Sequence, residues 1–250
     1  MELHCLESGS GSVPLVCVHG WGCDGSQFVD LAEGLAGQFR LYLVDLPGHG
    51  QTPLGNFQPS FQNFTDVLVE FISTRMPEPP ILLGHSMGGV LSLLAGARMN
   101  PRAIINLDGA LPAAAATVAG QKLIAARLND PDLLAWFEEF LREAFFLPEE
   151  RDEKCRAILR DMCRMPQAVL RFLPGQIETL DARSTLPLLA SPVLYVASAK
   201  PRFDDVQAKQ LNPCFSFSII SSAGHFLHVY AAERVAELVL RFVKLDEYQH

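Results

Sequence analysis

Residues 79–101 read Pro79-Pro80-Ile81-Leu82-Leu83-Gly84-His85-Ser86-Met87-Gly88-Gly89-Val90-Leu91-Ser92-Leu93-Leu94-Ala95-Gly96-Ala97-Arg98-Met99-Asn100-Pro101. An apolar strand, Ile81 to Leu83, runs into Gly84-His85-Ser86-Met87-Gly88 and leaves as a helix that Asn100-Pro101 stops. This is a G-x-S-x-G sequence in a strand–turn–helix setting, the context in which that motif carries a nucleophile. The chemistry explains the glycines. Ser86 has to sit on a strained turn with positive φ so that its hydroxyl stands clear of the sheet, and side chains at 84 and 88 would collide where strand and helix cross. The N–H of Met87, at the helix N-terminus, then points at a developing oxyanion.

Working outward, Val13 to Val18 is a second apolar strand, ending in His19-Gly20-Trp21-Gly22-Cys23-Asp24. Leu41 to Val44 is a third, ending in Asp45-Leu46-Pro47-Gly48-His49-Gly50. Phe215 to Ile220 leads into Ser221-Ser222-Ala223-Gly224-His225-Phe226-Leu227-His228. Strands alternate with helices near 26–36, 60–75, 204–211 and 226–243, and two more strands fall at Ala103–Leu107 and Val193–Ser198. A strand at Leu3–Leu6 completes the set. The alternation predicts a mostly parallel sheet of about seven strands covered by helices on both faces.

Between Leu111 and Asp181 the strand rhythm stops. Residues 117–129, 131–147, 149–164 and 167–180 read as helices separated by Asp130-Pro131, Pro148 and Pro166. The expected organisation is a core of residues 1–110 and 183–250 with a helical insertion at 111–182. Trp136, Phe137, Phe140, Phe145 and Phe146 concentrate aromatic surface in that insertion, more than it can bury against itself. Some of these side chains are expected to face a pocket and the others to glue the insertion to the core.

Together the four motifs resemble the α/β-hydrolase superfamily over nearly the whole chain, with the weakest match in the insertion. The resemblance implies a cap over the nucleophile at 111–182. It implies Ser86 as nucleophile, His225 as general base, and the N–H groups of Met87 and Trp21 as the oxyanion hole. The acid is less direct. The superfamily pattern P-V-L-x-V-x-G-x-x-D, laid on Pro192 onward, places its aspartate at Pro201, which cannot orient a histidine. Asp204 and Asp205 follow closely. Asp108, 22 residues beyond Ser86 and just after strand Ala103–Leu107, matches members that carry the acid there. Asp108 is the preferred reading, with Asp204 or Asp205 the alternative.

The other histidines read as structural. His228 is placed inside the closing helix, His85 points away from the nucleophile, His19 and His49 organise their loops, and His4 and His250 lie at the surface. Cys23 sits near the pocket mouth with no sign of a nucleophilic role.

Composition fits such an enzyme. The 250 residues suffice for one α/β domain with an insertion, and 49% apolar with 19% charged residues is a globular balance. A net charge of −8 without runs of like charge excludes nucleic acid and anionic membrane as expected partners. No apolar stretch reaches the ~18 residues of a membrane span. Met1-Glu2-Leu3-His4 opens without a basic region and apolar core, so no leader is expected. The six cysteines show no C-x-x-C spacing, which favours a reduced, cytoplasmic protein without a metal site. No cofactor is implied, and the expected partner is a small-molecule substrate.

The reading is a serine hydrolase acting through an acyl-enzyme on a modest, partly apolar carboxylic ester or thioester. A carbon–carbon (meta-cleavage product) hydrolase or enol-lactonase is a neighbouring possibility. A cofactor-free dioxygenase of the same fold also carries its acid after the strand following the elbow helix, though Cys23 stands where a further histidine would be expected. A ligand receptor that keeps the site with little turnover is the third alternative.

Overall fold

In the computed structural model of the chain, residues 1–111, 115–176, 181–199 and 205–246 are described. Seven strands form one sheet: β1 (Cys5–Ser8), β2 (Val13–Val18), β3 (Phe39–Val44), β4 (Ile81–His85), β5 (Ala103–Leu107), β6 (Val193–Ala197) and β7 (Phe215–Ile219). Their order across the sheet is β1-β3-β2-β4-β5-β6-β7. Among the described residues, only β1 runs antiparallel, against β3, and every other pair is parallel. β4 and β5 are buried along their whole length, as the Ile81-Leu82-Leu83 and Ile104-Ile105 runs require of strands covered on both faces.

Helices cover both faces. On one lie α2 (Phe61–Arg75) and α3 (Met87–Met99), and on the other α1 (Val29–Leu35) and α10 (Ala232–Asp246). Their boundaries follow local chemistry. The Ser60 hydroxyl accepts the Asn63 N–H at 3.0 Å to open α2, and Asn100 adopts the left-handed conformation ahead of Pro101 to close α3. The expected helix at 26–36 begins as a 3-10 turn, Gly25–Phe28, because the Asp24 carboxylate caps Ser26 N and tightens the entry. The expected closing helix at 226–243 is interrupted. A short α9 (Leu227–Tyr230) buries Leu227 and His228, Ala231 leaves the helical region (φ −137°, ψ 37°), and α10 restarts at Ala232.

Between β5 and β6 the chain runs through α4 (Ala115–Arg127), α5 (Leu133–Phe145), α6 (Glu153–Met162) and α7 (Gln167–Gln176). α5, α6 and α7 lie within the helical spans read from sequence, whereas α4 starts two residues before the expected 117. α5 and α6 are strongly amphipathic, and their buried residues Phe137, Leu141, Ile158 and Leu159 join the core on the α2–α3 face. Burying a side chain such as Phe137 stabilises the union of insertion and sheet by about 1.5–3 kcal/mol. The helix preceding β7 is α8 (Asp205–Leu211).

The sheet positions the site. Register pairs Val18 with Gly84, and Gly84 and His85 with Asn106 and Leu107. The C-terminal ends of β2, β4 and β5 are therefore level, and the loops leaving them meet at one edge, where open α/β sheets bind ligands.

Candidate active site

Ser86 follows β4 directly and adopts φ 54° and ψ −116°, a conformation that L-residues rarely enter. Such strain costs on the order of 1–3 kcal/mol and persists only where the surroundings enforce it. Here the Ser86 N–H donates to Leu107 O at 2.9 Å on β5, and the Ser86 carbonyl accepts from Gly89 N at 3.0 Å to start α3. A Cβ at Gly84 would lie 2.1 Å from Gly88 O, and one at Gly88 would lie 2.0 Å from Val18 O. Strand, turn and helix thus cross at distances that only glycine permits.

The loop after β2 lies against this turn. A Cβ on Gly20 would stand 3.3 Å from the Ser86 Cβ. The next residue, Trp21, is anchored by its indole N–H, which donates to Val169 O of α7 at 2.7 Å, and Phe137 packs edge-on to it at 5.7 Å. Among the described residues, no carbonyl accepts the main-chain N–H of either Trp21 or Met87.

His19 shapes this loop. Its Nε2 accepts the Leu46 N–H at 3.0 Å, which leaves the proton on Nδ1 to donate to Gly20 O at 2.8 Å. Burial pushes its pKa below the usual histidine range. The His49 ring lies tilted against it at 4.8 Å, and its Nδ1 bonds Pro47 O; burial, then the neighbouring His19, push its pKa down to about 3. Asp45 ties the same region together, accepting from Gly25 N and Gln51 N at 2.8 Å each and from His4 Nδ1 at 2.8 Å. His4 is therefore bonded inward, whereas His250 lies outside the described residues. A cavity of about 380 Å³ opens beside the loop, lined by Cys23, Asp24, His49, Leu54, Arg164 and Met165 among others. The Cys23 thiol is buried, donates to Trp21 O at 3.6 Å, and is pushed well above the usual thiol range by burial, so it is no thiolate.

The segment that follows β5 runs against Ser86, where a Cβ on Gly109 would lie 2.6 Å from Ser86 O, and its Asp108 meets His225. Asp108 leaves β5 with φ 53°, its N–H bonded to Val196 O at 2.9 Å. One carboxylate oxygen accepts the Ser198 N–H at 3.1 Å, and the other lies 2.8 Å from His225 Nδ1. The pair is buried, with side-chain exposures of 0% for Asp108 and 4% for His225. A carboxylate only accepts, so this contact puts the neutral imidazole's proton on Nδ1 and leaves Nε2 as the basic nitrogen. Of the alternative acids, Asp204 lies outside the described residues, and Asp205 begins α8.

His228 is on α9 as expected and makes a different environment for itself. It is fully buried, stacked on Phe28 at 4.6 Å and close to His85 at 4.3 Å, and neither of its ring nitrogens has a hydrogen-bond partner among the described residues. Burial, followed by repulsion from the neighbouring imidazoles, holds its pKa well below the histidine range. His85 points away from the turn, with Nε2 donating to the His225 carbonyl at 2.9 Å.

The five aromatics of the insertion divide. Phe137 reaches the Trp21 indole, and Phe145 stacks on the His225 ring at 4.6 Å. Phe146 stacks on Phe226 at 4.9 Å, while Trp136 and Phe140 stack on each other at 5.0 Å with the Arg127 guanidinium over the indole. Sequence reasoning missed Glu150 and Ser198, whose contacts with the His225 loop and Asp108 depend on residues 74 and 90 positions away. Among the described residues, no group of three His, Cys, Asp or Glu could hold a metal ion, and no helix is long and apolar enough to cross a membrane.

Comparison with known proteins bears on the whole chain. It is 30% identical over 240 residues to a pimeloyl-[acyl-carrier protein] methyl ester esterase of Edwardsiella ictaluri, covering 87% of this chain and 88% of that one. It is 26% identical to the biotin biosynthesis bifunctional protein BioHC of Cellvibrio japonicus over 91% of its own length, and spans about half (47%) of that relative. A thermophilic esterase from Thermogutta terrifontis shares the fold, with a TM-score of 0.83 at 20% identity over 98% of this chain and 93% of that one. The model of the alpha/beta hydrolase family matches residues 15–238, and with the parallel sheet, the strained serine turn and the loops gathered at one edge, the chain belongs to that family.

Proposed function

We propose that the protein is a serine ester hydrolase using Ser86, His225 and Asp108 as its triad, with residues 111–182 forming a cap over the site. The observation that carries this reading is the buried 2.8 Å contact from Asp108 to His225 Nδ1, beside a serine held at φ 54°. Asp108 fixes the tautomer that keeps Nε2 basic and stabilises the imidazolium formed during reaction. The Ser86 hydroxyl attacks the ester carbonyl carbon while His225 Nε2 takes its proton. The main-chain N–H groups of Met87 and Trp21 receive the oxyanion. Collapse expels the alkoxide, which His225 protonates. Water then attacks the acyl-enzyme, gives its proton to His225, and the acid departs as the proton returns to Ser86.

The substrate class follows from the aromatic surface and the relatives. Phe137 and Phe145 place apolar faces at Trp21 and His225, which suits an acyl chain of medium length. We take the relatives' methyl ester of a carrier-bound acyl group as the leading substrate and the cytoplasm as the place of action. The test is steady-state hydrolysis of methyl esters from acetate to medium-chain acids, free and carrier-bound, with Ser86→Ala as control. Turnover should rise with chain length, and Ser86→Ala should lower kcat by on the order of 10⁶. Undiminished ester hydrolysis by folded Ser86→Ala would exclude the mechanism.

A further inference from the structure

The segment that carries His225 is held from two sides, and one of them is the insertion. On the sheet side, Ala199 N bonds Ala223 O at 2.9 Å and the His225 carbonyl accepts from His85. On the other side, the joint between α5 and α6 grips the loop. The His225 N–H donates to Phe145 O at 2.8 Å, and the Phe145 ring stacks on the imidazole. Glu150, only 3% exposed, spends both carboxylate oxygens on main-chain donors. One oxygen accepts the Leu147 N–H at 2.8 Å and closes its own turn. The other accepts the Gly224 N–H at 2.8 Å, 74 residues further along the chain. The Tyr230 hydroxyl, at the end of α9, donates to the Glu150 carbonyl at 2.8 Å.

A carboxylate that served only to cap the 147–150 turn would need one of these contacts. The second reaches the residue next to the base, and the approach is close enough to dictate sequence. A Cβ on Gly224 would lie 2.4 Å from a Glu150 carboxylate oxygen and 2.7 Å from Phe145 O. We infer that Glu150 is a positioning residue for His225, through which the insertion, and not the sheet alone, sets the imidazole against Asp108 and Ser86. This rests on the reading of His225 as the base. It makes the insertion a working part of the base as well as a wall of the pocket. Displacing the α5–α6 joint would then lower kcat as well as change KM, because productive geometry has to be held within about 0.5 Å.

The experiment compares Glu150→Gln with wild type in steady-state hydrolysis of a p-nitrophenyl ester, and repeats the substitution on a His225→Ala background. Glutamine keeps the length and one acceptor oxygen but turns an N–H₂ toward one of the two main-chain donors. We expect kcat to fall by about 10- to 100-fold, as for a displacement of about an ångström, with KM within about threefold. On the His225→Ala background the same change should have no further effect, because groups that act through one another are non-additive. Tyr230→Phe, a smaller perturbation of the same clamp, should lower kcat several-fold and decides the matter if Glu150→Gln does not fold. Glu143→Ala, which removes an exposed ion pair with Arg151 on the same insertion, should leave kcat unchanged. Wild-type kcat in folded Glu150→Gln, a change confined to KM, or an equal loss on both backgrounds would overturn the inference. Wild-type turnover by His225→Ala itself would instead overturn the assignment of the base, a distinguishable result.

Discussion

His225 and His228 stand three residues apart, and both are buried, yet they have opposite surroundings. His225 faces a buried carboxylate at 2.8 Å and bears Phe145 on its ring. His228 lies between Phe28 and His85 with no hydrogen-bond partner among the described residues and no carboxylate against it. An imidazole that must take and return a proton needs a group to stabilise its cation; one that only fills space is best left neutral. The other buried histidines, His19, His49 and His228, are held neutral by burial; His19 uses both ring nitrogens, and His49 its Nδ1, on main-chain groups of the loops. Residue type is the same throughout, and the neighbouring carboxylate makes the difference.

The contrast breaks most visibly if Asp108 is removed as an acceptor. Asp108→Asn should keep the shape but favour the wrong tautomer of His225, lowering kcat by on the order of 10⁴. Asp204→Asn, measured alongside, should stay within a few fold. The opposite pattern would move the acid to the segment after β6.

A smaller effect tests these other histidines. His19, His49 and His228 have folded pKa values below the ordinary 6.5, so in this range the unfolded chain binds protons that the folded protein does not. Stability should therefore fall as pH drops below about 6.5, and for His49 the loss should continue down to about pH 3. Each such histidine contributes a slope of up to about 1.4 kcal/mol per pH unit. Urea unfolding from pH 7 to 4 should show the decline, and His228→Phe, which keeps a ring between Phe28 and His85, should make it shallower by one histidine's share. An unchanged slope would mean that His228 takes up a proton in the folded state.

Much of the fold was legible because its signals are local. Runs of Ile, Leu and Val marked β2, β4 and β5, Ser60 and Asn100-Pro101 punctuated their helices, and proline breaks separated the helices of the insertion. The serine turn was legible for a similar reason, since Gly84 meets main chain four and five residues away and Gly88 meets the end of the adjacent strand. What escaped the sequence depends on partners distant along the chain. The resemblance favoured Asp108 as the acid over Asp204 or Asp205, but the residues themselves left the choice open, and its contact with His225, 117 positions later, belongs to the fold. Phe145 and Phe146 are adjacent and chemically identical, yet one stacks on His225 and the other on Phe226. Glu150 carries no local signal of a role, because Gly224, which it bonds, is 74 positions away. The break at Ala231 has no glycine or proline to announce it; the residues around it are ordinary helix formers.

The account turns on Ser86 as the attacking group, and a fluorophosphonate probe tests that most directly. Wild-type protein should take up the probe once per chain, with the adduct mapped by mass spectrometry to the peptide bearing Ser86, and ester hydrolysis should disappear in proportion. His225→Ala should be labelled far more slowly. Full hydrolytic activity in protein modified at Ser86, or loss of activity with the adduct on another residue, would contradict the account.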